Sequence, residues 1–379
     1  MPTLAPSGQL EIQAIGDVST EAGAIITNAE IAYHRWGEYR VDKEGRSNVV
    51  LIEHALTGDS NAADWWADLL GPGKAINTDI YCVICTNVIG GCNGSTGPGS
   101  MHPDGNFWGN RFPATSIRDQ VNAEKQFLDA LGITTVAAVV LLGGSMGGAR
   151  TLEWAAMYPE TVGAAAVLAV SARASAWQIG IQSAQIKAIE NDHHWHEGNY
   201  YESGCNPATG LGAARRIAHL TYRGELEIDE RFGTKAQKNE NPLGPYRKPD
   251  QRFAVESYLD YQADKLVQRF DAGSYVLLTD ALNRHDIGRD RGGLNKALES
   301  IKVPVLVAGV DTDILYPYHQ QEHLSRNLGN LLAMAKIVSP VGHDAFLTES
   351  RQMDRIVRNF FSLISPDEDN PSTYIEFYI

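Results

Sequence analysis

A serine lies among glycines near the middle of the chain, in the segment Gly143-Gly144-Ser145-Met146-Gly147. The segment matches the pattern G-x-S-x-G, and it lies between an apolar run and a helical pattern. A sharp turn from strand to helix would lift the Ser145 hydroxyl above the sheet edge and direct the first amides of the helix at a developing negative charge. Ser145 is therefore a candidate nucleophile, and the alternative is a tight turn with a solvated serine.

The partners that such a serine needs are a base and an acid. A serine alcohol is inert at neutral pH until a base takes its proton, and a carboxylate orients the base. Where this turn carries a nucleophile, the acid and then the histidine follow it along the chain. Asp311 and Asp313 come shortly after the apolar run at 303–309, and His343 comes after the run at 333–338. The sequence therefore predicts His343 as the base and one of the two aspartates as the acid.

Short apolar runs that favour β-strands recur along the chain, and these elements must position the three residues. Helical patterns separate several of the runs, for example at 117–132 and 147–159. Strands that alternate with helices predict a mostly parallel sheet whose strands are buried on both faces. The expected strands are 49–53, 80–86, 136–142, 164–171, 303–309 and 333–338.

The alternation of strands and helices breaks between about residues 175 and 300. Polar helical segments that contain His, Asn and Tyr replace it, which predicts a helical insertion. We therefore expect an α/β core of residues 1–174 and 301–379 and a helical lid of residues 175–300. Within the lid, the segment 235–251 is expected to be a flexible loop.

The composition limits the classes of partner. The chain has 379 residues, and its formal net charge of −14 disfavours binding to nucleic acid or to an anionic membrane surface. An anionic ligand would need a local basic patch. The chain starts without the basic and apolar regions of a secretion signal, and no apolar run is long enough to span a membrane. A cytosolic location is therefore expected.

Cysteine and histidine clusters give little support to a metal site. Cys82 and Cys85 have C-x-x-C spacing, but alternation along a strand would send their side chains to opposite faces of the sheet. The segment 192–196, Asp-His-His-Trp-His, resembles a metal-binding cluster, although a solvated helix end is the favoured interpretation. We expect no metal, and at His54 we expect the backbone to matter more than the imidazole.

The motifs around these residues resemble those of the homoserine O-acetyltransferase family, whose members are acyltransferases of the α/β-hydrolase fold. The resemblance implies an α/β-hydrolase fold with a mostly parallel central sheet flanked by helices and a helical lid. It also implies L-homoserine and acetyl-CoA as substrates, no bound cofactor, a role in methionine biosynthesis and a homodimer formed through the lid. The motifs lie at 54–60, 71–79, 87–100, 112–119, 142–155, 313–317 and 342–347.

The resemblance also assigns roles to individual residues. It makes Asp313 the acid, although Thr312 stands where the family usually has serine. It places the oxyanion hole at the backbone amides of Leu56 and Met146, so that side-chain replacement there should act only indirectly. For the acceptor it implies Arg215, Tyr222 and Asp344. A guanidinium suits the carboxylate of homoserine and a carboxylate suits its ammonium group.

The expected reaction has two steps, in which an acetyl-serine forms and homoserine then accepts the acetyl group. Several alternatives share the same three catalytic residues. They are a homoserine O-succinyltransferase, a serine O-acyltransferase and a serine esterase in which water replaces the acceptor. A binding module derived from an inactive hydrolase is a further alternative, but a binding module has no need to keep Ser145, Asp313 and His343.

Overall fold

The computed structural model describes residues 8–134, 139–246 and 248–364, and within these ranges it contains ten strands and twelve α-helices. The strands are β1 (Glu11–Ser19), β2 (Ile25–Trp36), β3 (Val49–Glu53), β4 (Leu70–Gly71), β5 (Ile76–Asn77), β6 (Cys82–Thr86), β7 (Val139–Gly144), β8 (Val162–Leu168), β9 (Val305–Val310) and β10 (Leu331–Ile337). The helices are α1 (Ala62–Trp65), α2 (Ile117–Ala130), α3 (Met146–Met157), α4 (Ala176–Glu190), α5 (Ala208–Tyr222), α6 (Glu225–Phe232), α7 (Ala254–Val267), α8 (Ala272–Asn283), α9 (Leu294–Ser300), α10 (Tyr318–Asn327), α11 (Ala345–Thr348) and α12 (Ser350–Ile364).

Eight of these strands form one sheet in the order β1-β2-β6-β3-β7-β8-β9-β10. The pairs from β6 to β10 are all parallel, which confirms the expected mostly parallel sheet. Strands β1 and β2 pair in antiparallel fashion, and β2 continues antiparallel onto β6. The sequence interpretation had not included β1 and β2. Each of the other six strands of this sheet overlaps an expected one, although residues 136–138 lie outside the described part of the chain, whereas the short pair β4 and β5 was not expected.

Apolar side chains cover both faces of the sheet in two clusters, as strands buried on both faces require. Cys82 belongs to one cluster and Cys85 to the other, so the prediction that they lie on opposite faces is confirmed. Double-sided burial is wrong for β10, where most residues are only half-buried. The reason is its position, because β10 is the last strand of the sheet.

Six helices, α4 to α9, lie between β8 and β9 and include the helical segments expected in the lid. Helix α5 packs on both α4 and α7. The expected loop at 235–251 consists mainly of turns, with a bridge from Ala236 to Phe253. The division at residues 174 and 300 stays a prediction. In the described ranges no helix combines the length and the apolar character that crossing a membrane requires.

Candidate active site

The turn between β7 and α3 holds Ser145 in a left-handed backbone conformation, with φ of 57° and ψ of −122°. Such a conformation is strained for a residue with a side chain, and close packing maintains it. Gly147 allows that packing, because a Cβ atom there would lie 1.9 Å from the Glu53 carbonyl oxygen. At Gly144 a Cβ atom would lie 2.3 Å from the ring of Phe346. The glycines therefore let the turn press against the neighbouring strand and helix, as the sequence predicted.

Ser145, His343 and Asp313 form a continuous hydrogen-bonded chain. His343 Nε2 lies 2.9 Å from Ser145 Oγ, and His343 Nδ1 lies 2.6 Å from Asp313 Oδ2. The other carboxylate oxygen, Asp313 Oδ1, accepts the backbone N–H groups of Leu315 and Tyr316 at 2.8 Å each. Two backbone donors thus fix the carboxylate, and the carboxylate fixes the imidazole so that Nε2 faces the hydroxyl.

Asp311, the other aspartate after β9, has a different role. Its side chain is exposed and accepts the backbone N–H of Ser339 at 3.0 Å. Ser339 belongs to the loop that leads from β10 to His343. Asp311 therefore supports this loop, while Asp313 is the residue in contact with the histidine.

All three groups of the chain are nearly inaccessible to solvent, with exposed fractions of 6% for Ser145, 4% for Asp313 and 3% for His343. Burial disfavours the imidazolium, but the charge of Asp313 and its hydrogen bond to the ring favour it more. The pKa of His343 therefore lies above its ordinary value of 6.5. The site favours a histidine that can hold a proton temporarily, which is what a base between serine and aspartate must do.

The backbone N–H groups of Leu56 and Met146 come from two different segments. Met146 is the first residue of α3, where N–H groups have no partner within the helix. Leu56 lies in a loop after β3, residues 54–58, which we call the oxyanion loop. Among the described residues, neither N–H donates a hydrogen bond to another backbone group. The imidazole of His54, the first residue of this loop, is buried, and burial together with the charge of Arg150 lowers its pKa to about 3.

A buried ionic cluster joins these two segments, and the sequence interpretation missed it. Arg150 of α3 is fully buried, lies 2.7 Å from Glu53 Oε2 and also contacts Glu124. Its Nη2 atom donates to the carbonyl of His54 at 2.8 Å. Burial raises the pKa of Glu53 well above its ordinary value, with a contribution from the neighbouring Glu124 that opposes the effect of Arg150. The cluster thus places one guanidinium between two carboxyl groups, and burial favours the protonated form of Glu53.

Ser145 and His343 open into a cavity of about 560 Å³, which we call the active-site cavity. Arg215, Tyr222 and Asp344 all line it, so the structure brings the three acceptor-binding candidates together with the nucleophile. Arg215 Cζ lies 5.4 Å from the centre of the Tyr222 ring, and the carbonyl of Tyr222 accepts the N–H of Asp344 at 3.0 Å. The Nε atom of Arg215 is buried without a hydrogen-bond partner in the described structure.

Asp344 carries a charge that depends on its surroundings. Burial raises its pKa, while the charges of His343, Arg215 and Arg223 lower it by less. A cationic group in the cavity would favour the carboxylate form further, because opposite charges at close range stabilise each other. Asp344 is therefore suited to meet an ammonium group inside the cavity.

Several residues that line the cavity were not singled out from the sequence, among them Thr57, Trp65, Lys265 and Arg269. Thr57 accepts the Arg269 guanidinium at its carbonyl oxygen (2.8 Å), and its hydroxyl lies 3.5 Å from Arg215. Lys265 and Trp65 also line the cavity. Thr57 follows β3 closely, which was the available signal, whereas nothing in the local pattern around Trp65, Lys265 and Arg269 marks them as cavity residues.

The cluster at residues 192–196 follows α4 and does not line the active-site cavity. One side-chain atom each of Asp192, His193 and His194 lies within 4.8 Å of the others. The interpretation as a solvated helix end fits the exposed His193 but is wrong for Asp192. Its carboxylate is buried because it accepts the backbone N–H groups of His194 and Gly210.

The strand order and the positions of Ser145, Asp313 and His343 after β7, β9 and β10 define a protein of the α/β-hydrolase fold, and the family model for that fold matches residues 48–350. The chain is 86% identical to the homoserine O-acetyltransferase of Corynebacterium efficiens over 379 residues, which is 100% of both chains. The chain therefore belongs to the homoserine O-acetyltransferase family.

Solved structures show the same architecture. The crystal structure of homoserine O-acetyltransferase from Bacillus anthracis matches with a TM-score of 0.80 at 25% identity, over 93% of this chain and 97% of that one. Esterase E22 matches with a TM-score of 0.81, also at 25% identity, over 93% of this chain and 99% of that one. The backbone fold is thus shared by an acyltransferase and an esterase, and the distinction between them must come from the cavity.

Proposed function

We propose that the chain transfers the acetyl group of acetyl-CoA to the hydroxyl of L-homoserine and forms O-acetyl-L-homoserine for methionine biosynthesis. The observation that carries the proposal is the direct contact of Ser145 with His343 inside a cavity that also holds Arg215 and Asp344. Membership of the homoserine O-acetyltransferase family supports the same activity. The reaction needs no bound cofactor or metal in this scheme, because the acyl donor is already an activated thioester.

In the first step Ser145 Oγ attacks the thioester carbonyl carbon while His343 Nε2 takes the hydroxyl proton. The resulting oxyanion receives hydrogen bonds from the N–H groups of Leu56 and Met146. The carbon–sulfur bond then breaks, and His343 returns the proton to the leaving thiolate of coenzyme A. The products of this half-reaction are free coenzyme A and an acetyl ester on Ser145.

In the second step the γ-hydroxyl of homoserine occupies the place that the thiol has left. His343 takes its proton, the alkoxide attacks the acetyl ester, and Ser145 leaves with the proton that His343 returns. Arg215 binds the homoserine carboxylate, Asp344 binds its ammonium group, and the Tyr222 ring packs on the Arg215 guanidinium. These contacts hold the hydroxyl near the acyl carbon, which favours the alcohol over water.

The likeness to esterase E22 makes hydrolysis the competing function. Release of free thiol from acetyl-CoA, measured with and without homoserine, separates the two. The acyltransferase requires fast release only with homoserine and parallel lines in double-reciprocal plots. Release that is equally fast without homoserine would show a hydrolase, and intersecting lines would contradict the acetyl-serine intermediate.

The choice of donor and acceptor can be tested in one reaction. Acetyl-CoA and succinyl-CoA compete in the presence of both homoserine and serine, and mass spectrometry identifies the product. O-Acetylhomoserine is the expected product. O-Succinylhomoserine or an acylated serine as the main product would replace the proposal by one of its close alternatives.

A cytosolic homodimer completes the proposal. The support for a dimer comes from the resemblance to the family alone, and light scattering tests it. A mass near twice the chain mass of 41.4 kDa is expected, and a mass near 41.4 kDa would contradict the dimer.

A further inference from the structure

Three cations line the active-site cavity without an ion pair in the described part of the chain. They are Arg215, Lys265 and Arg269. Most other arginines of the described residues lie within 4.0 Å of a carboxylate, as expected in a chain with a net charge of −14. Two arginines that lack a carboxylate partner in an acidic protein, and that gather with a lysine at one cavity, indicate a site for an anion.

The three cations lie at different depths. Arg215 has a buried Nε atom and is assigned above to the carboxylate of homoserine. Lys265 and Arg269 are exposed, whereas Ser145, which lines the same cavity, is buried. Lys265 lies in the last turn of α7, Arg269 follows two residues after the helix ends, and both exposed side chains line the mouth of the cavity.

Existing contacts hold these two cations in place without neutralising them. Arg269 donates to the carbonyl of Thr57 at 2.8 Å, and Lys265 Nζ lies 5.5 Å from the centre of the Tyr261 ring. Partial burial of its guanidinium and the nearby charge of Arg215 lower the pKa of Arg269. An anion beside Arg269 would therefore offset the repulsion between Arg269 and Arg215.

Two aspartates, Asp59 and Asp64, also line the cavity and could in principle pair with its cations. Asp59 Oδ1 accepts the backbone N–H of Asn61 at 2.9 Å, and Asp64 Oδ2 accepts the side-chain amide of Asn61 at 2.7 Å. Among the described residues, neither carboxylate lies within ion-pairing distance of Lys265 or Arg269. Both aspartates thus have hydrogen-bond partners of their own, and the charge of Asp59 only partly offsets the positive charge of Arg269.

We propose that Lys265 and Arg269 bind the phosphate groups of the acyl donor at the mouth of the active-site cavity, so that its uncharged arm reaches inward to Ser145. The inference rests on the proposed function. A thioester of coenzyme A carries its phosphates at one end and its reactive carbonyl at the other. Charge at the mouth and a nucleophile at the floor match these two ends.

The test compares two donors that carry the same acetyl thioester. Acetyl-CoA has the phosphates, and S-acetyl-N-acetylcysteamine lacks them. In Lys265→Gln and Arg269→Gln the KM for acetyl-CoA is expected to rise about tenfold at similar kcat, because each loses a charge-assisted hydrogen bond to phosphate. The KM for S-acetyl-N-acetylcysteamine is expected to stay unchanged in both variants. Arg269→Lys, which keeps the charge, is expected to recover part of the affinity.

Lys187→Gln is the matched control. Lys187 is an exposed lysine of α4 that pairs with Glu190 and lies outside the cavity lining. It should leave the KM for both donors unchanged, which excludes a general effect of net charge. An equal rise of KM for both donors in Lys265→Gln, or a rise for homoserine alone, would overturn the inference.

Binding without turnover separates this inference from the proposed function. Calorimetry with adenosine 3′,5′-bisphosphate, which has phosphates but no thioester, is expected to show binding that Lys265→Gln weakens and added salt weakens. Inorganic phosphate at the same concentration distinguishes recognition of the nucleotide from binding of any phosphate. Wild-type protein that binds the nucleotide but transfers no acetyl group would contradict the proposed function alone. Absence of nucleotide binding in an active enzyme would contradict the phosphate site alone.

Discussion

Arg150 donates a hydrogen bond of 2.8 Å to the backbone carbonyl of His54 and so connects α3 to the oxyanion loop. Met146 begins α3, and Leu56 lies two residues beyond His54. The two N–H groups proposed to stabilise the oxyanion therefore belong to segments that one buried guanidinium joins. Their spacing depends on a residue that does not itself line the cavity.

Arg150→Lys is expected to lower kcat by about 10- to 100-fold with little change in KM, because complete loss of one oxyanion donor costs about 10²–10³ in kcat and misplacement costs less. A lysine keeps the charge but cannot reach Glu124 and His54 with the same fork of donors. Steady-state kinetics, normalised to the fraction of protein that reacts with a fluorophosphonate, measures the effect for folded enzyme only.

Arg118→Lys provides the control for Arg150→Lys. Arg118 is also buried and pairs with Glu21 and Glu153, and its backbone contacts are to Asp286 and Arg289. The Arg118→Lys variant should lose thermal stability without a comparable loss of kcat. If kcat fell by a similar factor in both variants, Arg150 would stabilise the fold without a specific effect on the two N–H groups.

Asp313→Asn is expected to lower kcat by about 10⁴-fold, because an amide no longer fixes the imidazole in the tautomer that accepts the serine proton. Asp311→Asn is the natural comparison, since Asp311 is exposed and contacts only the supporting loop through Ser339. We expect Asp311→Asn to retain most of the activity. If Asp311→Asn lost activity and Asp313→Asn retained it, Asp311 would be the acid.

The pH dependence of kcat/KM should report His343. The protonated ring cannot accept the serine proton, so activity rises with pH and levels off above the pKa of the histidine. Because Asp313 raises that pKa above 6.5, the midpoint of the rise is expected above 6.5. In Asp313→Asn burial remains without the opposing charge, and the midpoint should move to lower pH. A wild-type midpoint below 6.5 would mean that burial of His343 outweighs the charge of Asp313, which would contradict the raised pKa.

Gly147→Ala should impair both stability and activity, because its Cβ atom would lie 1.9 Å from the carbonyl oxygen of Glu53 and push α3 away from β3. We expect a loss of folding free energy of about 1–3 kcal/mol, typical of overpacking. Gly180→Ala in α4 meets no atom within 4 Å and should instead stabilise the protein by about 0.5–1 kcal/mol. Chemical denaturation of both variants checks the contrast.

The sequence was sufficient for the parts of the site that local pattern determines. Gly147 and its neighbours indicated the turn, and parallel strands bring residues that follow them to one edge of the sheet, which is why Ser145, Asp313 and His343 could be placed together. Choosing Asp313 over Asp311 required the family resemblance, since both follow the same strand. The structure distinguishes them by burial and by the contact with His343.

Contacts between distant segments could not be predicted in this way. Arg269 and Thr57 are 212 residues apart, and nothing near either one indicates the other. In the sequence Arg150 looks like an ordinary polar residue of an amphipathic helix, because its partners Glu53 and Glu124 belong to other segments. Strands β1 and β2 were missed because neither is a continuous apolar run, and β1 alternates between half-buried and exposed residues along most of its length.

The lid lies in sequence between the strand that follows the nucleophile and the strands that carry the acid and the base. On the ribosome, the hydroxyl and both oxyanion amides therefore emerge long before the imidazole that activates the alcohol, and N-terminal segments have the first opportunity to fold. A nascent chain that has released only its first 300 residues holds an unreactive serine. In the proposed mechanism acyl transfer requires β9 and β10 to have docked, so the site is completed only by segments that are synthesised after the lid.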